Sequence, residues 1–407
     1  MNNFFYCKKC LYPSSAVNLN FNEDGVCKGC IITEKYRKSS SKIDWDNRKK
    51  KFEKILNDSL SKKIKSNYDC LIPVSGGKDS YYQTHIICKE YNLKPLLVTY
   101  HGNNFLPEGD YNRDRMKEVF DADHIVWGPS VDVLKKLNKA AFYKMGDMNW
   151  QNHTGIMSAP VQISVMFKIP LMIWGESPFE TYGMFEPDDY IEFTKRFREE
   201  HDMRGFDIKD FVNSDSKNAI SEKDMVWAKY PSDKEILDVG LRGIHIGNYF
   251  KWSGYENYML AKKKYSWKER KTPFERTYRN YSNLDDRYEN GIHDLMKFVK
   301  FGYGRATDHA SKDIRSSLIS RDEGVKMVKK YDSVVSSDLD YWLNYVDMSK
   351  DEFWAVADTF RDPSVWWIEN KKWYKKNLWN EGSSYGEVNL SDEQINKFNS
   401  LSKLWNN

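Results

Sequence analysis

A short apolar run that ends in a glycine turn constrains this chain more than any other feature. Cys70, Leu71, Ile72, Pro73 and Val74 read as a buried strand. Ser75, Gly76, Gly77, Lys78, Asp79 and Ser80 follow, and apolar Tyr82, Ile86, Ile87 and Tyr91 then recur at helical spacing. A buried strand that turns at once into a helix belongs in a sheet covered by helices. Further apolar runs supply the sheet: residues 96–100 and 124–127 as second and third strands, 170–174 as a fourth and 243–247 as a fifth, with a helix predicted at 156–167. The alternation predicts an α/β fold, a parallel sheet with flanking helices and right-handed crossovers.

Four stretches differ in texture. Residues 1–33 form a small cysteine-bearing unit. Residues 34–66 are rich in Lys and Ser, with Phe52, Ile55, Leu56 and Leu60 at helical spacing, and read as a helical linker. Residues 67–255 hold the sheet, with a charged insertion at 177–238, and residues 256–407 read as a helical carboxyl-terminal region. There Ser320 and Glu323 bracket a capping box. The polar end of the chain reads as a loosely held tail.

Composition narrows the function classes. The 63 basic and 59 acidic residues leave a net charge of +4, too balanced for a nucleic-acid-coating surface, so no nucleic-acid partner is expected. No apolar stretch reaches membrane-span length, and the first ten residues carry no signal core, so a cytoplasmic protein without a membrane span is expected. The aromatic share of 15% suits a large core, with sugar or base stacking as the sharper reading.

Four of the six cysteines are paired by spacing: Cys7 with Cys10, and Cys27 with Cys30. Each close pair can hold one metal from a tight knuckle, and four thiolates complete a tetrahedron. The expected metal is structural Zn2+, with an iron–sulfur cluster as the alternative. A catalytic zinc would need an open coordination position that four protein ligands do not leave.

The segment from Ser75 to Ser80 has the chemistry of a phosphate cradle. Gly76 and Gly77 let backbone N–H groups approach an anion, and the helix start adds donors and a positive dipole end. Lys78 adds charge, Ser75 and Ser80 add hydroxyls, and Asp79 among phosphate-binding groups suits a magnesium ligand. The Walker pattern and the dinucleotide fingerprint are both missing.

With this loop the chain resembles the PP-loop ATP pyrophosphatase superfamily. The resemblance implies ATP cleavage between the α and β phosphates through an adenylated intermediate. It also implies that the end of the second strand, from Val98 to His101, lies near the adenine. Over nearly its whole length the chain is similar to the N-acetyl sugar amidotransferase group of surface-polysaccharide and nonulosonic-acid pathways. That likeness rests on the four-cysteine unit, the loop, His153-Thr154-Gly155, Trp174-Gly175-Glu176, Ile246-Gly247-Asn248-Tyr249 and Lys300-Phe301-Gly302-Tyr303-Gly304-Arg305. It implies that ATP activates the acetamido oxygen of an N-acetylated sugar or nucleotide-sugar, and that ammonia replaces it to give an acetamidino group.

Beside Lys78 and Asp79, two other residues are candidates for catalysis. Glu176 follows an apolar strand, where it could bind magnesium, hold ammonia or accept a proton. His153 lies just before a predicted helix and could hydrogen-bond substrate or act as a base, or else be a cap or surface histidine. Lys300, Arg305 and Arg315 flank glycines and could grip a phosphate or carboxylate, or form a basic loop after a glycine helix stop. A tRNA thiolase is the alternative reading, disfavoured because only Cys70 and Cys88 remain for sulfur chemistry. A nucleotide sensor with an inactive loop is disfavoured because the loop is intact. With no cysteine suited to a glutaminase site, a separate glutaminase and an ammonia-channelling subunit are expected partners.

Overall fold

In the computed structural model, which describes residues 4–38, 43–61, 66–178, 185–214, 218–379 and 383–406, the first apolar run is the central strand. The strands of the main sheet are β1 (Cys70–Pro73), β2 (Pro95–Tyr100), β3 (Asp123–Trp127), β4 (Leu171–Trp174), β5 (Glu192–Phe193) and β6 (Arg242–His245), in spatial order β3-β2-β1-β4-β6-β5. All pairs are parallel except β5, which joins β6 antiparallel at the edge. The expected α/β fold is therefore observed. Leu71, Ile72, Leu97, Ile173 and Ile244 are fully buried, each stabilising the sheet by about 1.5–3 kcal/mol.

The order of the strands places the site. From β1 the chain builds β2 and β3 on one side, then returns to build β4 and β6 on the other. The loops after β1 and β4 thus leave neighbouring strand ends in different directions and open a crevice between them. Leu71 faces Met172 across this junction.

The helix Trp45–Ser61, in the stretch read as a linker, packs against the sheet. Phe52 is fully buried beside Tyr91 and Phe250, at ring separations of 5.1 and 5.2 Å. Buried Arg48 donates to the Asn248 carbonyl at 2.7 Å and the Pro187 carbonyl at 2.8 Å, and pairs with Asp188 at 2.8 Å. Of the expected insertion, residues 179–184 and 215–217 lie outside the described residues. The remainder adds β5 and a cluster in which Phe211 and Trp227 pack under the helix Trp150–Met166.

Two expectations about the carboxyl-terminal region change. It is mainly helical, but it also carries an antiparallel sheet of β7 (Trp366–Glu369), β8 (Lys372–Lys375) and β9 (Ser384–Glu387). The polar end is an ordered helix, Asp392–Asn406, rather than a loose tail. Ser391 and Gln394 cap it reciprocally, with bonds of 2.9 and 3.3 Å. Phe398 anchors it in a cluster with Phe4, Val365, Trp366 and Trp373, its ring 5.0 Å from Trp373. Phe398→Ala should therefore cost about 3 kcal/mol, read as a lower urea midpoint by Trp fluorescence. An unchanged midpoint would return this helix to the status of a tail.

Candidate functional site

A cleft of about 540 Å³ opens at the crevice between β1 and β4. Its floor is the loop from Ser75 to Ser80. Gly76 sits at φ +80°, and a Cβ there would lie 2.5 Å from the Arg113 backbone, so only glycine fits. The Ser75 amide donates to Ser80 Oγ at 3.0 Å, the Gly77 amide to Ser75 Oγ at 3.3 Å, and Trp267 Nε1 to the Gly76 carbonyl at 2.9 Å. These bonds hold the turn in shape. Lys78 opens the helix Lys78–His85. Its Nζ lies 2.5 Å from Asp79 Oδ2, and Asn257 donates to Asp79 Oδ1 at 2.7 Å. Ser75, Gly77, Lys78, Asp79, Ser80 and Val98 all line the cleft.

Glu176 stands opposite, just past β4, also on the cleft wall. Its backbone is held at φ +81°, a left-handed conformation that costs a residue with a Cβ about 1–3 kcal/mol. The Gly247 amide, donating to the Glu176 carbonyl at 3.1 Å, helps fix it there. Although the side chain faces open cleft space, the surrounding protein raises its carboxyl. Desolvation is the main cause and Asp79 adds to it, while Lys312 and Lys78 oppose it.

A wall that the sequence reading did not assemble closes the cleft. The helix Arg305–Arg315 presents Arg305, His309 and Lys312, at helical spacing, to the same space. The Lys312 ammonium has no hydrogen-bond partner among the described residues. Burial lowers its ammonium, with Asp308 and Glu176 pulling the other way. Asp285 also lines the cleft and accepts from the Ser75 hydroxyl; burial raises its carboxyl. His309 and Lys312 stand four and seven residues after Arg305, a spacing that puts all three on one face because the segment is a helix rather than a basic loop.

The other expected site residues separate. His153 lies inside the helix Trp150–Met166 rather than before it, because buried Trp150, 4.1 Å from Phe211 ring to ring, extends the packed face upstream of residue 156. It lines the cleft, and burial with the Arg204 and His293 charges lowers it to about 3, so the ring stays neutral. Gly155 in the same helix is needed because a Cβ would meet the Tyr100 ring at 2.2 Å. His101 lies off the cleft wall, stacked on Phe105 at 4.7 Å with Nε2 3.5 Å from Asp110. Lys300, Arg305 and Arg315 do not form one loop. Gly302, at φ +74°, ends the helix Asn290–Phe301, and a new helix starts at Arg305. Only Arg305 of the three reaches the cleft. Lys300 donates to the Met145 carbonyl at 2.8 Å, and Arg315 lies over the Tyr12 ring at 5.2 Å, beside the cysteine cluster.

Cys7, Cys10, Cys27 and Cys30 converge with every Sγ within 4.8 Å of the others, and all four are buried. Cys10 and Cys27 Sγ are 3.5 Å apart, and Cys7 and Cys30 Sγ 4.0 Å. One tetrahedral ion with bonds of about 2.3 Å puts its sulfurs ~3.8 Å apart. The set therefore fits a single ion, whereas a four-iron cube spreads its thiolates over separate corners. The unit also braces the cleft from behind. Leu11 packs on Ala310, its amide donates to Ser311 Oγ at 3.3 Å, and Tyr12 donates to Asp308 at 3.0 Å. These contacts lie on the helix that carries Arg305, His309 and Lys312.

No helix among the described residues is long and apolar enough to cross a membrane. The chain is similar to the uncharacterized protein MJ1599 of Methanocaldococcus jannaschii, 26% identical over 121 residues, and spans 41% of that protein's length and 30% of its own. Among solved structures it is similar to the U34-tRNA thiolase NcsA from Methanococcus maripaludis with its 4Fe-4S cluster, at 14% identity and a TM-score of 0.31, covering 77% of this chain and 86% of that one. Nothing about substrate follows from so loose a likeness. Residues 275–380 match the family described as LPS biosynthesis protein WbpG-like, C-terminal domain. That matched segment supplies Arg279, Asp285, His293, Arg305, His309 and Lys312 to the cleft wall.

Proposed function

We propose that this chain is an AMP-forming sugar amidotransferase. It adenylates the acetamido oxygen of an N-acetylated sugar and replaces that oxygen with ammonia. The observation that carries the reading is the sharing of one cleft by the Ser75–Ser80 loop and the segment matched to an LPS biosynthesis domain. A nucleotide-binding loop facing a sugar-pathway wall suits a reaction that joins the two ligands.

The steps balance as follows. The amide oxygen attacks the α-phosphorus of ATP and pyrophosphate leaves, giving an O-adenylated imidate. Ammonia adds to the imidate carbon, a proton is lost, and AMP departs with the former amide oxygen. Activation is needed because an amide oxygen is a very poor leaving group. The loop amides, Lys78 and the helix start hold the phosphates. Asp79 and Asp285, both on the cleft wall, are the carboxylates that would hold Mg2+, which would offset phosphate charge. Arg305 and Lys312 face the developing charge, where fixed cations act strongly in a dry site. Glu176, across from the loop, takes the proton from the attacking nitrogen. In the four-cysteine site we infer Zn2+, bound for structure.

Ammonia would come from a separate glutaminase. Four of this chain's six cysteines form the metal cluster, Cys70 is buried in β1, and burial pushes the Cys88 thiol up to about 11. A nucleophilic cysteine needs the opposite shift. The test incubates the purified chain with ATP, magnesium and a panel of acetamido sugars. With ammonium, AMP, pyrophosphate and a sugar carrying NH in place of oxygen should appear; glutamine alone should give none. Formation of ADP and phosphate, or thiolation of tRNA instead, would sink the proposal.

Two variants probe individual roles. Glu176 works as a carboxylate, and its raised pKa means that activity is lost as pH falls through a value above the ordinary 4.5. At constant free ammonia, kcat should show that acid limb, and Glu176→Gln should remove it while lowering kcat about 10²–10⁴-fold. A variant that kept wild-type kcat would leave Glu176 without the role of base. Cys27→Ser should lose the zinc and, through the bracing of helix Arg305–Arg315, raise KM for the sugar more than for ATP. Iron in place of zinc in the wild-type protein, or an unaltered sugar KM in Cys27→Ser, would count against the structural-zinc assignment.

A further inference from the structure

A carboxylate and a histidine are paired at the cleft wall with no part in the steps above. Asp147 lies just past the helix Val131–Met145, and His293 stands in the first turn of the helix Asn290–Phe301. His293 Nδ1 is 2.9 Å from Asp147 Oδ1. The Asp147 side chain is 6% exposed and is held besides by the Asn149 amide at 3.1 Å and by Arg204. Desolvation works against its charge, but the His293 and Arg204 charges keep its carboxyl well below the usual carboxylate range. An ionised carboxylate can only accept, so His293 Nδ1 carries the hydrogen of this bond. The lone pair of the neutral ring then lies on Nε2, which has no hydrogen-bond partner among the described residues. His153, 6.2 Å away ring to ring, also lines the cleft but has no carboxylate bond of this kind among those residues.

His293 lines the cleft and also borders a second cavity of about 420 Å³. No residue of the Ser75–Ser80 loop lines that second space, so His293 marks an end of the cleft turned away from the loop. A secondary amide is planar and trans, with its N–H and C=O on opposite sides. An acetamido oxygen aimed at ATP over the loop therefore turns its N–H away from the loop. As that oxygen attacks phosphorus, positive charge develops on the amide nitrogen. An acceptor for the N–H thus binds the transition state more strongly than the ground state, which is the condition for raising kcat.

We propose that His293 Nε2 accepts the N–H of the substrate's acetamido group, and that Asp147 is the positioning residue that fixes the ring tautomer for this contact. The N–H bond stays intact throughout, so the balance of the reaction is unaltered. The site thereby selects secondary amides and rejects amides without an N–H. This assignment rests on the amidotransferase reading for the identity of the substrate.

The test measures pyrophosphate release by the full chain with ATP, magnesium and ammonium. Each acetamido sugar of the panel is compared with its N-methylacetamido analogue, which lacks the N–H. Wild-type protein should prefer the N–H sugar by about 10²-fold or more, and His293→Ala should bring the two within about tenfold, with KM for ATP unchanged. A merely structural use of His293 would slow both sugars alike. As a second measurement, 15N NMR of histidine-labelled protein should find His293 of the wild type protonated at Nδ1, and at Nε2 in Asp147→Asn, with kcat for the N–H sugar lowered about 10²–10⁴-fold. The same preference for the N–H sugar in His293→Ala as in wild type, or a wild-type ring with its lone pair on Nδ1, overturns this inference alone. Preferential pyrophosphate release with the N–H sugar but without amidine overturns only the proposed reaction. No pyrophosphate with any acetamido sugar overturns both.

Discussion

Parallel pairing of β1 with both β2 and β4 is the constraint on which the rest of the structure depends. A strand bonded on both edges must be apolar on both faces, and Cys70, Leu71 and Ile72 are fully buried. Once β1 is central, the chain reverses direction across it, and the loops after β1 and β4 have to part. The crevice therefore follows from strand order before any catalytic residue is considered. What the sequence adds is a glycine at the one position where the Arg113 backbone leaves no room for a Cβ. A charged residue sits in a strained conformation on the facing loop.

The crevice alone is half a site. Its other wall comes from helix Arg305–Arg315, which is held at three places. Asp332 caps its start, accepting from the amides of Gly304 at 2.9 Å and Thr307 at 3.0 Å. Leu11 and Tyr12 of the cysteine unit hold its back. Asp313, near its end, accepts from Tyr278 at 2.5 Å and pairs with Arg279. The small four-cysteine unit, far from the Ser75–Ser80 loop in sequence, thus has a mechanical reason to be on the same chain. Tying a cation-bearing helix against the cleft is costly in desolvation, as the lowered Lys312 ammonium reflects. A rigid brace keeps that helix from swinging out to water.

The parts of this arrangement that could be read in the sequence are those with strong local signals. Buried strands are unbroken apolar runs, the strand-to-helix turn at Ser75–Ser80 is a compact glycine motif, and the cysteine pairs have metal spacing. The carboxyl-terminal sheet was hidden because β7 and β8 mix aromatic and charged residues. Their two-residue turn is Asn370-Lys371, at φ +49° and +58°, in place of the asparagine–glycine that marks such hairpins. The final helix did carry a signal, the Ser391–Gln394 capping box, which its polar composition masked. Lys312 escaped notice because its role is set by a partner far away: only the fold brings it opposite Glu176.

The central claim is that the amide oxygen itself is activated by ATP and leaves with AMP. Substrate whose acetamido oxygen is replaced by heavy oxygen tests this most directly, with the product AMP examined by mass spectrometry. The account predicts that the heavy oxygen is recovered in the phosphate of AMP, one atom for each sugar converted. Heavy oxygen that stays in the sugar or passes to water, with AMP unlabelled, would contradict it.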